Sequence, residues 1–126
     1  MITIGVTALG VDDLARATTF WAEALGYTVD GTSDRSAVLR PRGGTGTPLY
    51  LHLSTTPVQE HPRVHLDLVA PDLSSRTTEV ERLQHLGATV VDWDSYPPDP
   101  DFVVLADTEG NRFCLIDASH AKPEDS

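Results

Sequence analysis

Cysteine occurs once in the 126 residues, as Cys114, so no intrachain disulfide can form, as expected of a protein from a reducing compartment. Basic side chains are scarce too: 9 Lys and Arg against 19 Asp and Glu leave a net charge of −10. A surface of that sign repels phosphate backbones and anionic lipid heads, which excludes nucleic-acid and polybasic membrane roles and leaves cationic or neutral small partners. No apolar run approaches the roughly 20 residues needed to span a bilayer. Nor does the start, Met1-Ile2-Thr3-Ile4-Gly5, place basic residues ahead of an apolar stretch, so a cytoplasmic location is expected. Aromatic residues make up only 6%, yet 40% hydrophobic and 22% charged residues compose an ordinary globular chain. At this length a single domain buries about two-thirds of its unfolded surface, with no need of a metal or disulfide to hold it.

The sequence repeats itself. Val6-Thr7-Ala8-Leu9-Gly10-Val11-Asp12-Asp13-Leu14 aligns with His65-Leu66-Asp67-Leu68-Val69-Ala70-Pro71-Asp72-Leu73 at an offset of 59, and Leu25-Gly26-Tyr27-Thr28-Val29 with Leu86-Gly87-Ala88-Thr89-Val90 at 61. Each copy reads as strand, aspartate, helix, strand. In the first helix Asp13 is the N-cap, Leu14, Ala17, Phe20, Trp21, Ala24 and Leu25 share one face, and Gly26 ends it. In the second, Asp72 or Ser74 caps, Leu73, Val80, Leu83 and Leu86 form the apolar stripe, and Gly87 stops the helix.

Three strand-like stretches follow each helix: Tyr27 to Val29, Ser36 to Arg40 and Leu49 to Leu53, then Ala88 to Asp92, Phe102 to Ala106 and Arg112 to Ile116. Arg42 to Thr47 and Thr108 to Asn111 are their hairpin turns; Gly43-Gly44 opens no helix and so forms no phosphate cradle. The polar, two-proline stretch Thr55 to Pro62 is a connector. Asp94 to Pro100, with three prolines, cannot join a ladder and is a surface loop, and residues 118–126 are expected as a flexible tail. The class predicted is α+β, with βαβββ written twice.

That doubled order, with Val11-Asp12-Asp13-Leu14 opening the first helix, Arg63 to Leu68, and Val104-Leu105-Ala106-Asp107-Thr108-Glu109-Gly110-Asn111-Arg112-Phe113-Cys114-Leu115 near the end, resembles the vicinal oxygen chelate (VOC) superfamily. That group holds glyoxalase I, extradiol dioxygenases, fosfomycin-modifying enzymes and bleomycin-binding resistance proteins, and the small glyoxalase-like branch is the nearest in pattern. Thr108 stands where a proline is usual, and Phe102 where the family has tryptophan. The resemblance implies one domain over residues 1–117, built of modules at about 3–54 and 63–117, whose curved mixed sheets form a cup with the helices on its outer face. It also implies a homodimer and a small-molecule ligand or substrate.

Strand alternation indicates which side chains would enter that cup. Thr7, Leu9 and Val11, then Leu49, Leu51 and Leu53, then Val64, Leu66 and Leu68, and finally Phe113 and Leu115, cover the helices. Inward go Val6, Ala8 and Gly10, Tyr50, His52 and Ser54, His65, Asp67 and Val69, and Arg112, Cys114 and Ile116. Tyr50, His52, His65, Asp67, Arg112 and Cys114 are therefore the expected ligand-binding residues, joined by Trp93, which with Tyr96 flanks the proline-rich loop and either closes the mouth or packs beneath it.

Internal alignment pairs Val6 with His65 and His52 with Cys114, the positions of the family's metal ligands, usually His, Glu or Gln, His and Glu. Valine donates nothing, so a metal is not favoured. His52, His65 and a Cys114 thiolate remain as an alternative three-ligand site, best suited to zinc. His61 and His65 stand four apart, but Pro62 between them argues against a helical zinc motif. The first expectation is thus a binding protein, antibiotic-sequestering or metal-independent. Its alternative is a divalent-metal lyase or isomerase of glyoxalase type, and a bare interaction module stands third.

Overall fold

In a computed structural model that describes residues 1–121, the chain folds as two compact units that divide between Pro57 and Val58. The first contains β1 (Thr7–Val11), α1 (Leu14–Leu25), β2 (Tyr27–Thr32), β3 (Ser36–Pro41) and β4 (Leu49–Leu53). The second contains β5 (Asp67–Ala70), α2 (Leu73–Leu86), β6 (Thr89–Val90), β7 (Phe102–Ala106) and β8 (Arg112–Asp117). Each sheet has four strands, ordered β1-β4-β3-β2 and β5-β8-β7-β6. The first strand of each unit pairs parallel with the last, and the other neighbours are antiparallel. The α+β class and the doubled βαβββ order are those expected from the repeat. Among the described residues no helix is long and apolar enough to cross a membrane.

Both helices begin and end where their cap residues dictate. The Asp13 carboxylate accepts from the Arg16 N–H at 3.0 Å, and of the two candidate caps of α2 it is Asp72 that accepts, from the Ser75 N–H at 2.7 Å. α1 buries Ala17, Phe20, Trp21 and Ala24, with the Phe20 and Trp21 rings edge to face at 5.0 Å. In α2 only Leu83 is fully buried. Leu73, expected on the apolar stripe, is 55% exposed, because the inward place in the first turns falls to Arg76, whose guanidinium donates to the Asp101 carbonyl at 2.9 Å.

Gly26 and Gly87 end the helices with φ of 67° and 119°, a region L side chains rarely adopt. They differ in surroundings: a Cβ on Gly26 meets nothing within 4 Å, whereas one on Gly87 would lie 2.8 Å from Thr108 Cγ2. Gly26→Ala is expected to cost about 1–2 kcal/mol of backbone strain. Gly87→Ala should cost more, since the β7–β8 turn must also move. Urea unfolding of the two variants measures this, and equal losses would rule out the clash.

Three local expectations change. The strand placed from Val64 begins at Asp67, and Val64 is 85% exposed instead of covering α2, since no strand neighbour fixes its direction. The strand expected over Ala88 to Asp92 pairs only at Thr89 and Val90, with one further bond from the Val91 N–H to the Val104 carbonyl. Beyond it the proline-rich loop leaves the edge of β7. The chain after β8 stays bonded through His120, by Ala118 N–H to Ala70 and by Ser119, whose N–H and hydroxyl both donate to Asp117. The Ser119 hydroxyl is also the main reason the Asp117 carboxyl is held below its usual value. The rest of the expected tail, 122–126, lies outside the described residues.

Candidate functional site

The sheet of the second unit presents two unlike faces. Phe113, Leu115 and Leu105 are buried in the core, while the alternate positions Asp67, Cys114 and Val104 sit side by side across β5, β8 and β7. His65, just ahead of the strand, joins the row through its contact with Asp67.

This register corrects the internal alignment of the last strands. Asp67 lies opposite Cys114, and its repeat partner Ala8, at the offset of 59, lies opposite Tyr50. Cys114 therefore corresponds to Tyr50, and His52 to Ile116 rather than to Cys114. Matching Leu51 with Phe113 was a slip of two residues, which keeps every side chain on its face but moves it about 6.6 Å along the strand. In the first unit the row equivalent to His65, Asp67 and Cys114 reads Val6, Ala8 and Tyr50.

At the centre of the row, His65 Nδ1 and Asp67 Oδ1 are 2.6 Å apart. A carboxylate oxygen accepts, so His65 Nδ1 is the donor of this pair. Cys114 is 9% exposed. Burial first, and the Asp67 charge and hydrogen bond second, push its thiol up to about 12, so at neutral pH the S–H donates to Asp67. One imidazole nitrogen, one carboxylate oxygen and one sulfur thus gather within 4.8 Å of one another.

A cavity of about 430 Å³ opens over this cluster. Trp93, Phe102, Val104 and Ile116 give it apolar walls, and Asp101 and Arg112 add charges of both signs. Arg112 is steadied by donating to the Glu60 carbonyl at 3.2 Å, which ties the connector across this side of the sheet. His61 also lines the cavity, its ring 4.7 Å from that of Trp93 and its Nε2 2.8 Å from Asp94 Oδ1. That contact, with the Ser95 hydroxyl, holds the Asp94 carboxyl below its usual value.

Of the side chains expected from sequence, His65, Asp67, Trp93, Arg112 and Cys114 line this one cavity. Tyr50 and His52 belong to the first unit, where their rings stack at 5.7 Å. The two readings of the loop aromatics separate. Trp93 lines the cavity, whereas Tyr96 packs against Phe102 at 5.2 Å and its hydroxyl oxygen accepts from the Val104 N–H, which β6 is too short to reach. Phe102, Val104, Asp101 and His61 were not singled out as site residues. The period of two opposite Cys114 and Ile116 was a signal for Phe102 and Val104, whereas His61 is brought in by a bend of the connector that leaves no pattern in the chain.

Comparison with known proteins agrees with the fold. Residues 6–116 match the family described as "Glyoxalase-like domain". A possible glyoxalase from Bacillus cereus is 21% identical, with a TM-score of 0.70 over 92% of this chain and 99% of that one. A glyoxalase/bleomycin resistance protein/dioxygenase family enzyme from Burkholderia phytofirmans is 14% identical, with a TM-score of 0.70 over 90% and 97%. The fosfomycin resistance protein FosX from Listeria monocytogenes, solved with Mn(II) and a dihydroxypropylphosphonic acid, is 17% identical, with a TM-score of 0.72 over 92% and 90%. No curated protein sequence matches the chain. With the repeat, the two sheets and a family match over nearly the whole length, the chain belongs to the glyoxalase-like domain family of the VOC superfamily.

Proposed function

We propose that the chain binds a small organic molecule in the cavity of its second module and sequesters it without a metal centre of the Mn(II) type. The cavity carries this reading: about 430 Å³ falls within the range of small-molecule sites, and its apolar walls surround a few convergent polar groups. Trp93 and Phe102 offer flat faces to a planar or cationic group, and Asp67 and Asp101 supply negative charge. Arg112 is left to take an acceptor on the same molecule. A net charge of −10 draws a cationic ligand toward the protein.

The Mn(II) bound by FosX does not fit the donor atoms here. Mn(II) prefers carboxylate, carbonyl and water oxygens with imidazole, whereas the cluster contributes one carboxylate, one ring nitrogen and a protonated sulfur, and Val6 at the family's first ligand position has no donor. What remains for these residues is binding: Asp67 fixes the His65 tautomer, Arg112 and Asp101 orient charge, and the aromatic wall excludes water. The resemblance and the charge further support a cytoplasmic homodimer that engages neither nucleic acid nor membrane.

Fluorescence is a direct test, because the two tryptophans report different places. Trp21 is 1% exposed in the core of the first unit, while Trp93 lines the cavity. Titration with bleomycin and other cationic antibiotics in excess chelator should give a saturable change at one ligand per chain, and Trp93→Phe should abolish it. A flat response across the panel, or a change that survives Trp93→Phe, would sink the proposal.

A further inference from the structure

We propose that His61 is a proton-operated clasp, which fastens the connector to the proline-rich loop over the cavity of the second unit and tightens when its ring is protonated. The floor of that cavity is strand: Asp67, Val104, Arg112, Cys114 and Ile116 hold their places in the β5–β8–β7 ladders. The wall above it is not. His61 and Pro62 come from the connector, Trp93 and Ser95 from the loop, and both segments lie outside the strands. Each segment is tied back to the sheet on its own. The Glu60 carbonyl accepts from Arg112 at 3.2 Å and Val58 lies over Gly110, while the Tyr96 hydroxyl oxygen accepts from the Val104 N–H. His61 then joins the two segments to each other, with its ring 4.7 Å from that of Trp93 and its Nε2 2.8 Å from Asp94 Oδ1. Opening the cavity between connector and loop means parting those two contacts.

The chemistry of the pair makes it sensitive to protons. A neutral imidazole with its proton on Nε2 already donates to Asp94, so the clasp forms in either state. Protonation adds a full charge to a ring that faces a carboxylate and stands within the ~6 Å at which an indole attracts a cation. Asp94 does not titrate alongside it: the His61 contact and the Ser95 hydroxyl hold its carboxyl below its usual value, so it is ionised whenever His61 gains its proton. The charged groups on the elements around the ring are Glu60 and Arg63 on the connector, Asp92 and Asp94 on the loop, Asp67 on β5, Asp101 before β7 and Arg112 on β8. Acids outnumber bases among them, so the added charge enters an acidic surrounding. Both members of the pair are more than half exposed, and a solvated ion pair shifts an equilibrium only about two- to fivefold. A molecule held in the cavity would accordingly leave more slowly in mild acid.

The test reads Trp93 in the full chain by acrylamide quenching from about pH 8 to pH 5.5, with no ligand in solution. Trp21 is buried, and its share of the signal is measured in Trp93→Phe and subtracted. Acidification is expected to lower the Trp93 quenching constant about two- to fivefold. His61→Gln, whose amide still donates to Asp94 but takes no charge, should abolish the pH dependence, and Asp94→Asn should weaken it. His65 is the other histidine among the described residues lining the cavity, so His65→Gln is the control and should keep the dependence. Circular dichroism checks folding across the range, and the His61 and Asp94 substitutions fall on exposed side chains. A quenching constant that is flat with pH or rises in acid would overturn the clasp. So would a pH dependence that survives His61→Gln, is unchanged in Asp94→Asn, or vanishes in His65→Gln. The quenching experiment needs no bound molecule and the antibiotic titration needs no change of pH, so each proposal can fail without the other.

Discussion

At pH 8, Cys114 in the folded, metal-stripped protein is expected to react with iodoacetamide about a thousandfold more slowly than a free thiol. The thiolate is the reactive form, and lifting the thiol from 9.0 to about 12 lowers its share at that pH by close to the same factor. Burial is the larger cause and Asp67 the second. Asp67→Asn should therefore speed the reaction without reaching the free-thiol rate, and unfolding in urea should restore that rate in full. The same shift acts on stability. The folded chain keeps a proton that the unfolded chain releases, so the contribution of Cys114 is fully present below about pH 9 and is lost as pH rises from 9.0 toward 12. Quantifying alkylation by mass spectrometry against glutathione in the same tube decides the matter: parity between the two would show that the thiol is neither buried nor held by Asp67.

Replacing Asp107 with alanine is expected to remove about 2–3 kcal/mol of stability. Its carboxylate, 4% exposed, accepts from the backbone N–H groups of Glu109 and Asn111, both at 2.9 Å. Around it the main chain closes the turn with Asp107 N–H to Asn111 and Gly110 N–H to Asp107. Alanine leaves two partly buried donors without their acceptor and loosens the turn that sets β8 against β7, and hence the placement of Cys114. Asp107→Asn, which keeps one acceptor oxygen, should recover most of the loss. Urea unfolding of the three proteins provides the measurement. A cost below about 0.5 kcal/mol for the alanine variant, the level of an ordinary surface substitution, would mean that water replaces the carboxylate.

The elements legible in the sequence were those decided within a few residues. Asp13 and Gly26, then Asp72 and Gly87, bound their helices because an N-cap carboxylate and a left-handed glycine act within one turn. Alternation placed Asp67 opposite in face to Leu68, and Arg112 and Cys114 opposite in face to Phe113 and Leu115, because a strand's side chains alternate whatever it pairs with. Partners were harder. Leu51 resembles Phe113 as closely as Leu115 does, so similarity between the copies could not distinguish registers two residues apart. The short β6 had the same cause: Thr89 to Asp92 has strand character, but how far a strand pairs depends on the path of the loop after it, and Tyr96 rather than the backbone meets the Val104 N–H.

The sequence by itself thus determined a single-cysteine, acidic chain of two βαβββ modules, with its helix ends and the faces of its strands, since all of these follow from composition and local stereochemistry. Only the tertiary structure decided that Tyr50, and not His52, is the counterpart of Cys114, that Trp93 and His61 meet over the same cavity, and that Cys114 keeps its proton. Those facts depend on ladder register, loop path and local dielectric, each set by residues far apart in the chain.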